Sequence, residues 1–202
     1  MISRGSSGWL FYGYPPGVFC FFKLLIPRLG YTDMKPDQQI SILIDTIVDL
    51  LQKGNAHASF DDAVANMPLD QLTVTPPGLP YNVWQLTEHI RIAQWDIVEF
   101  CNNPSHASPK WPDEYWVDGS QPVSEEAWQA SLAQIRKDRE RFIALVKDPE
   151  TDLFTRLPQG DGQTILKEAL LIADHNAYHV GEIIIVRRLL GNWSPDSVMP
   201  AG

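Results

Sequence analysis

His175 and His179 stand four residues apart in one long segment of periodic apolar residues, and His89 stands in another. Residues with that spacing stack on one face of an α-helix, roughly 6 Å apart along its axis, so two imidazoles can converge on one point. The stripe they share continues through Ile172, Ile183 and Val186, which turns it toward an interior. Neutral imidazoles buried side by side need partners. Three protein nitrogens and one open position form a common catalytic zinc arrangement, and helical bundles build such sites from facing helices. The alternatives are a hydrogen-bonded core residue for His89 and a surface pair for the other two. A divalent metal ion is the cofactor this set suits; Zn²⁺, Ni²⁺, Fe²⁺ and Mn²⁺ all accept such ligands.

Glu182 follows His179 by three residues and therefore shares its face. It is the candidate catalytic residue, as a general base, but it is also placed to accept an imidazole N–H or to remain a solvated acid. The acceptor role is favoured. Asp174 and Tyr178 flank the histidine pair off its face, where structural roles are expected. His57 follows Gly54-Asn55 at a helix end and reads as a capping or surface residue; His106 reads as an exposed loop residue. Trp111, Tyr115 and Trp116 either form a lid over the ion or close the end of the fold.

These residues need helices to hold them. Between Gln39 and Leu51 the apolar residues recur at helical spacing, and Gly54-Asn55 ends the run. Ser59 with Asp62 caps a short helix from Phe60 to Asn66. Asn82 with Gln85 opens the helix carrying His89, whose inner face holds Leu86, Ile90, Ala93 and Ile97 and which ends near Cys101. Ser124 opens the next helix, through Trp128, Leu132, Ile135, Phe142 and Leu145 to Asp148-Pro149. Thr164 starts the last, which runs to Leu190 before Gly191. Four long amphipathic helices with almost no strand signal predict an all-α bundle.

The chain has 202 residues and a net charge of −9, which disfavours a nucleic-acid partner. Residues 1–33 differ from the rest: they hold three basic residues and one acid, and from position 34 onward the charge is −11. The apolar stretch from Gly17 to Ile26 is interrupted by Lys23 and too short to span a bilayer, so no membrane partner is expected. The reading is an extension over 1–33, outside the fold, followed by one domain over 34–202. Cys20 and Cys101 match neither a zinc-ribbon nor a redox spacing, which points to a reducing, cytoplasmic setting.

The run Trp84-Gln85-Leu86-Thr87-Glu88-His89-Ile90, followed by Ala93-Gln94, resembles the second-helix signature of the DinB-like metalloprotein superfamily. Asp174-His175-Asn176-Ala177-Tyr178-His179-Val180-Gly181-Glu182 resembles its last-helix signature, His-x-x-x-His-x-Gly-Gln. The likeness covers about residues 36–191 and departs from the pattern at Glu182, where many members carry Gln. It implies a four-helix bundle whose metal ligands match His89, His175 and His179. It also implies small-molecule chemistry, since characterised relatives include thiol S-transferases and a thiol-dependent isomerase. The expectation is a metal-dependent transferase or hydrolase acting on a small-molecule substrate, with a low-molecular-weight thiol as partner. The alternative is a metal-binding stress or interaction protein without turnover. Homodimers are frequent in the family, so a homodimer is expected.

Overall fold

The computed structural model describes residues 35–193. Five α-helices account for most of them: α1 (Pro36–Lys53), α2 (Phe60–Val64), α3 (Val83–Asn102), α4 (Glu125–Lys147) and α5 (Ile165–Leu189). Among the described residues there is no named strand, only an isolated bridge between Arg156 and Thr164. None of these helices is long and apolar enough to cross a membrane. The expectation that residues 1–33 form an extension falls outside the described residues.

The helices begin where side chains satisfy the free N–H groups of the first turn. Ser59 and Asp62 close a reciprocal box at α2, as do Asn82 and Gln85 at α3. Ser124 accepts from the Ala127 N–H at α4, and Thr164 from the Lys167 N–H at α5. Helix α1 starts at Pro36, three residues before the apolar repeat, because proline suits a first turn whose N–H is unbonded in any case. Helix α2 stops at Val64, two residues short of expectation; Asn66 lies beyond it at φ 52°, a left-handed backbone that no α-helix continues through.

Helix α3 packs against α4 and α5, and α1 packs against the same two. The apolar faces so buried form two clusters. One gathers Phe60, Leu72, Leu86, Ile90, Trp128, Leu132, Ile183 and Val186. The other gathers Ile47, Val98, Phe142, Val146, Leu153, Ile165 and Ile172. Arg187 is buried at the end of α5, where its guanidinium donates to the carbonyls of Ala63 and Ala65 and ties down the C-terminal end of α2.

The seam between the two clusters is polar. On α3, Ile90 belongs to one cluster and Val98 to the other, with Gln94 buried between them. On α5, Ile172 and Val180 mark the same boundary, and His175, Asn176 and His179 lie between them. Buried polar groups interrupting an apolar core are unfavourable unless each is bonded, so this layer is where the sequence departs from simple packing.

Candidate metal centre

One side-chain nitrogen from each of His89, His175 and His179 lies within 4.8 Å of the other two. The Nε2 atoms of His89 and His175 are 3.1 Å apart. His89 and His179 are buried and His175 is half-buried. The three rings meet at centroid distances of 4.5 to 4.9 Å.

What lies behind each ring decides which nitrogen is free. His89 Nδ1 is 2.9 Å from the Tyr115 carbonyl, which can only accept; Nδ1 therefore carries the hydrogen and Nε2 a lone pair. His179 Nδ1 is 2.7 Å from Glu182 Oε2, and the same logic leaves its Nε2 free. The other carboxylate oxygen of Glu182 accepts from the Tyr81 hydroxyl at 2.8 Å. Burial, and then Glu182 itself, push the Tyr81 pKa up to about 12, so it remains a donor.

His175 is oriented through a longer chain. The Ile135 carbonyl accepts from Gln94 Nε2 at 2.7 Å, which fixes the Gln94 amide with Oε1 facing the other way. Asn176 Nδ2 donates to that Oε1 at 2.9 Å, which turns Asn176 Oδ1 toward His175 Nδ1 at 3.4 Å. A carbonyl oxygen there favours hydrogen on Nδ1 and a lone pair on Nε2.

The two Nε2 atoms 3.1 Å apart are satisfied by hydrogen on one of the rings or by a cation that both lone pairs can bind. A proton is disfavoured: burial and then the His179 charge lower the His175 pKa to about 4, and burial lowers that of His89. A divalent ion fits better. Zn–N bonds of about 2.0–2.1 Å place tetrahedral nitrogen ligands about 3.3 Å apart, close to the His89–His175 spacing.

The segment after α2 and the loop before α4 are fastened to the start of α3. Asn82 donates to the Gly119 carbonyl at 3.1 Å, Gln85 to the Val117 carbonyl at 3.2 Å, and His89 to the Tyr115 carbonyl. One face of the helix thus grips alternate carbonyls of the loop. Trp116 stacks on the His89 ring at 4.0 Å with the planes 5° apart, and Trp111 and Tyr115 stand beside it. Of the two readings of these aromatics, cover over the histidine cluster is the one the geometry matches. The Tyr115 hydroxyl donates to buried Asp96, whose second oxygen meets His106 Nε2 at 2.7 Å. His106 is therefore not the exposed loop residue expected: its side chain is 9% exposed and its ring packs edge-on against Trp95.

His57 is exposed and outside the cluster, and Asp174 faces solvent. Tyr178 differs from expectation in part: it is largely exposed, yet its ring stands edge-on to His179 at 5.0 Å. Burial pushes the Cys101 thiol up to about 12, so it is no nucleophile at neutral pH. Sequence reasoning missed Tyr81, Asp96 and the orienting roles of Gln94 and Asn176. Gln94 was detectable as an amide on an apolar face; Tyr81 lies 101 residues from Glu182 and gave no local signal.

The sequence model of the DinB superfamily matches residues 55–183, which include all three histidines, and the chain belongs to that superfamily. Comparison with curated proteins and with solved structures gives no match.

Proposed function

We propose that the four long helices form a four-helix bundle of the DinB type that holds one divalent ion through His89, His175 and His179. The observation that supports this best is the convergence of three imidazoles, each with a hydrogen-bond acceptor behind its Nδ1 atom. We further propose that the protein is a metal-dependent transferase or hydrolase acting on a small molecule, with a low-molecular-weight thiol as co-substrate. An ion held by three protein nitrogens supplies Lewis acidity and lowers the pKa of a water or thiol bound in its remaining position. Family membership and the cover of Trp111, Tyr115 and Trp116 support this reading. Glu182 orients His179, accepting from its Nδ1–H through one oxygen and from the Tyr81 hydroxyl through the other. A homodimer is the proposed assembly, supported by exposed Tyr178, Ile185 and Leu189 along one stripe of α5.

Metal analysis of the purified protein tests the ion: about one divalent ion per chain is expected, and its loss in His175→Ala and His179→Ala. Full occupancy in the double variant overturns the ligand assignment. Cobalt substitution then tests for turnover chemistry. A Co²⁺ spectrum that small thiols, azide and imidazole all leave unchanged indicates a closed, structural ion and a protein without turnover.

A further inference from the structure

Next to the histidine cluster lies an open cleft of about 250 Å³, walled by Ala93, Ile97, Leu171, Trp111 and Tyr115 and bounded by His89 and His175. Its walls are mostly carbon. Asp96 is the one carboxylate in the lining among the described residues, and its two oxygens bond the Tyr115 hydroxyl and His106. A cationic ligand therefore competes there with two hydrogen bonds already formed. Among the described residues the lining contains no lysine or arginine, so no side chain there pairs with an anion.

Size narrows the occupant further. An apolar cavity of about 150 Å³ takes up benzene, whereas drug-sized ligands need about 300 Å³ or more. The cleft falls between these limits. Trp111 is 70% exposed and Leu171 43% exposed, so their apolar surface stays in water until something covers it.

We propose that this cleft seats an uncharged apolar group about the size of one aromatic ring, borne by a molecule whose donor atom reaches the histidine cluster. The inference rests on the ion reading above and narrows it to a substrate class: small, neutral and apolar, with one metal-seeking atom.

The test uses the full chain and two probes that share one donor, imidazole and 4-phenylimidazole. Both are titrated by calorimetry into Co²⁺-loaded and metal-free protein, with Co²⁺ content measured in parallel. The phenyl group should improve affinity for the loaded protein by about tenfold or more, from the apolar surface it buries. Trp111→Ala and Leu171→Asp should each bring the two probes close together, and Leu171→Asp, outside the aromatic cover and the histidine cluster, should leave imidazole affinity and Co²⁺ content unchanged. If Co²⁺ is taken up and the probes bind equally, or the variants keep the preference, the cleft is not the seat and the ion reading stands. If Co²⁺ is not taken up, the ion reading fails and the proposed donor contact fails with it. The apolar seat alone is then decided on metal-free protein, where equal 4-phenylimidazole binding by wild type and Leu171→Asp overturns it.

Discussion

In chelator-treated protein, lowering the pH should destabilise the fold well before its carboxylates titrate. In an unfolded chain His175 takes up a proton near its ordinary pKa of 6.5; in the folded protein burial and the His179 charge hold that pKa down at about 4. Between these values the unfolded chain binds more protons, so stability rises with pH across the window and is lost as pH falls through it. It is fully present above about pH 6.5. Each pH unit between the two values is worth about 1.4 kcal/mol, so the whole window amounts to about 3 kcal/mol, and the loss by pH 5 is about 2 kcal/mol. His89 is shifted in the same direction and adds to the loss. Glu168 works against it: burial raises its carboxyl above the ordinary range, so the folded form holds that proton more tightly and gains as pH falls. Glu168→Gln removes the opposing contribution. The assay is urea unfolding of chelator-treated protein at pH 7.5 and pH 5. With a typical urea dependence of about 2 kcal/mol per molar, the midpoint should fall by about 1 M. His175→Asn should flatten most of this difference. A midpoint that does not move in the Glu168→Gln background, or an unchanged pH response in His175→Asn, refutes the reasoning.

Three further outcomes follow from the same contacts. Glu182→Gln should keep metal, because its amide oxygen can still accept from His179 while its NH₂ donates to the Tyr81 oxygen; turnover should fall only if the carboxylate serves as a base. Glu182→Ala should weaken metal affinity by about 10- to 100-fold in a chelator competition, as loss of an orienting partner does. Gln94→Leu should release the Asn176 amide, so long-range ¹H–¹⁵N spectra of metal-free protein should show His175 moving from the Nδ1–H form to a mixture; an unchanged tautomer argues against the chain of amides. Ile185→Asp should dissociate the proposed homodimer in light scattering without changing metal content, and a wild-type monomer at micromolar concentration removes that assembly.

The helix starts were legible because capping is local. Ser59, Asn82, Ser124 and Thr164 each bond a backbone N–H within three residues, so their chemistry can be read from a short window. The histidine cluster was legible in part for the same reason, since the four-residue spacing of His175 and His179 fixes their common face. The partners behind the rings were not. The contacts of Tyr115 with His89, Asp96 with His106, and Tyr81 with Glu182 cross loops or whole helices, and no period in the sequence encodes them. His106 shows the consequence. A histidine among Asn, Pro and Ser reads as exposed, yet Asp96 on α3 draws its ring in.

The layer that breaks the apolar core is also the layer of the proposed ion site. Replacing Gln94, Asn176 and the histidines with aliphatic residues of similar volume would join the two apolar clusters and remove several buried polar groups, which tends to raise stability. The amides are instead arranged so that their polarity runs one way, from the Ile135 carbonyl to His175, and the Tyr115 carbonyl and Glu182 act alike on the other two rings. Without an ion, the Nε2 atoms of His89 and His175 stand 3.1 Å apart, and one ring must give up its Nδ1–H contact in order to bond the other. A cation that binds the folded chain and not the unfolded one reverses that penalty and stabilises the fold by mass action. Burial of the histidines makes the metal-free protein acid-sensitive, and the metal-bound protein should therefore be the more stable form.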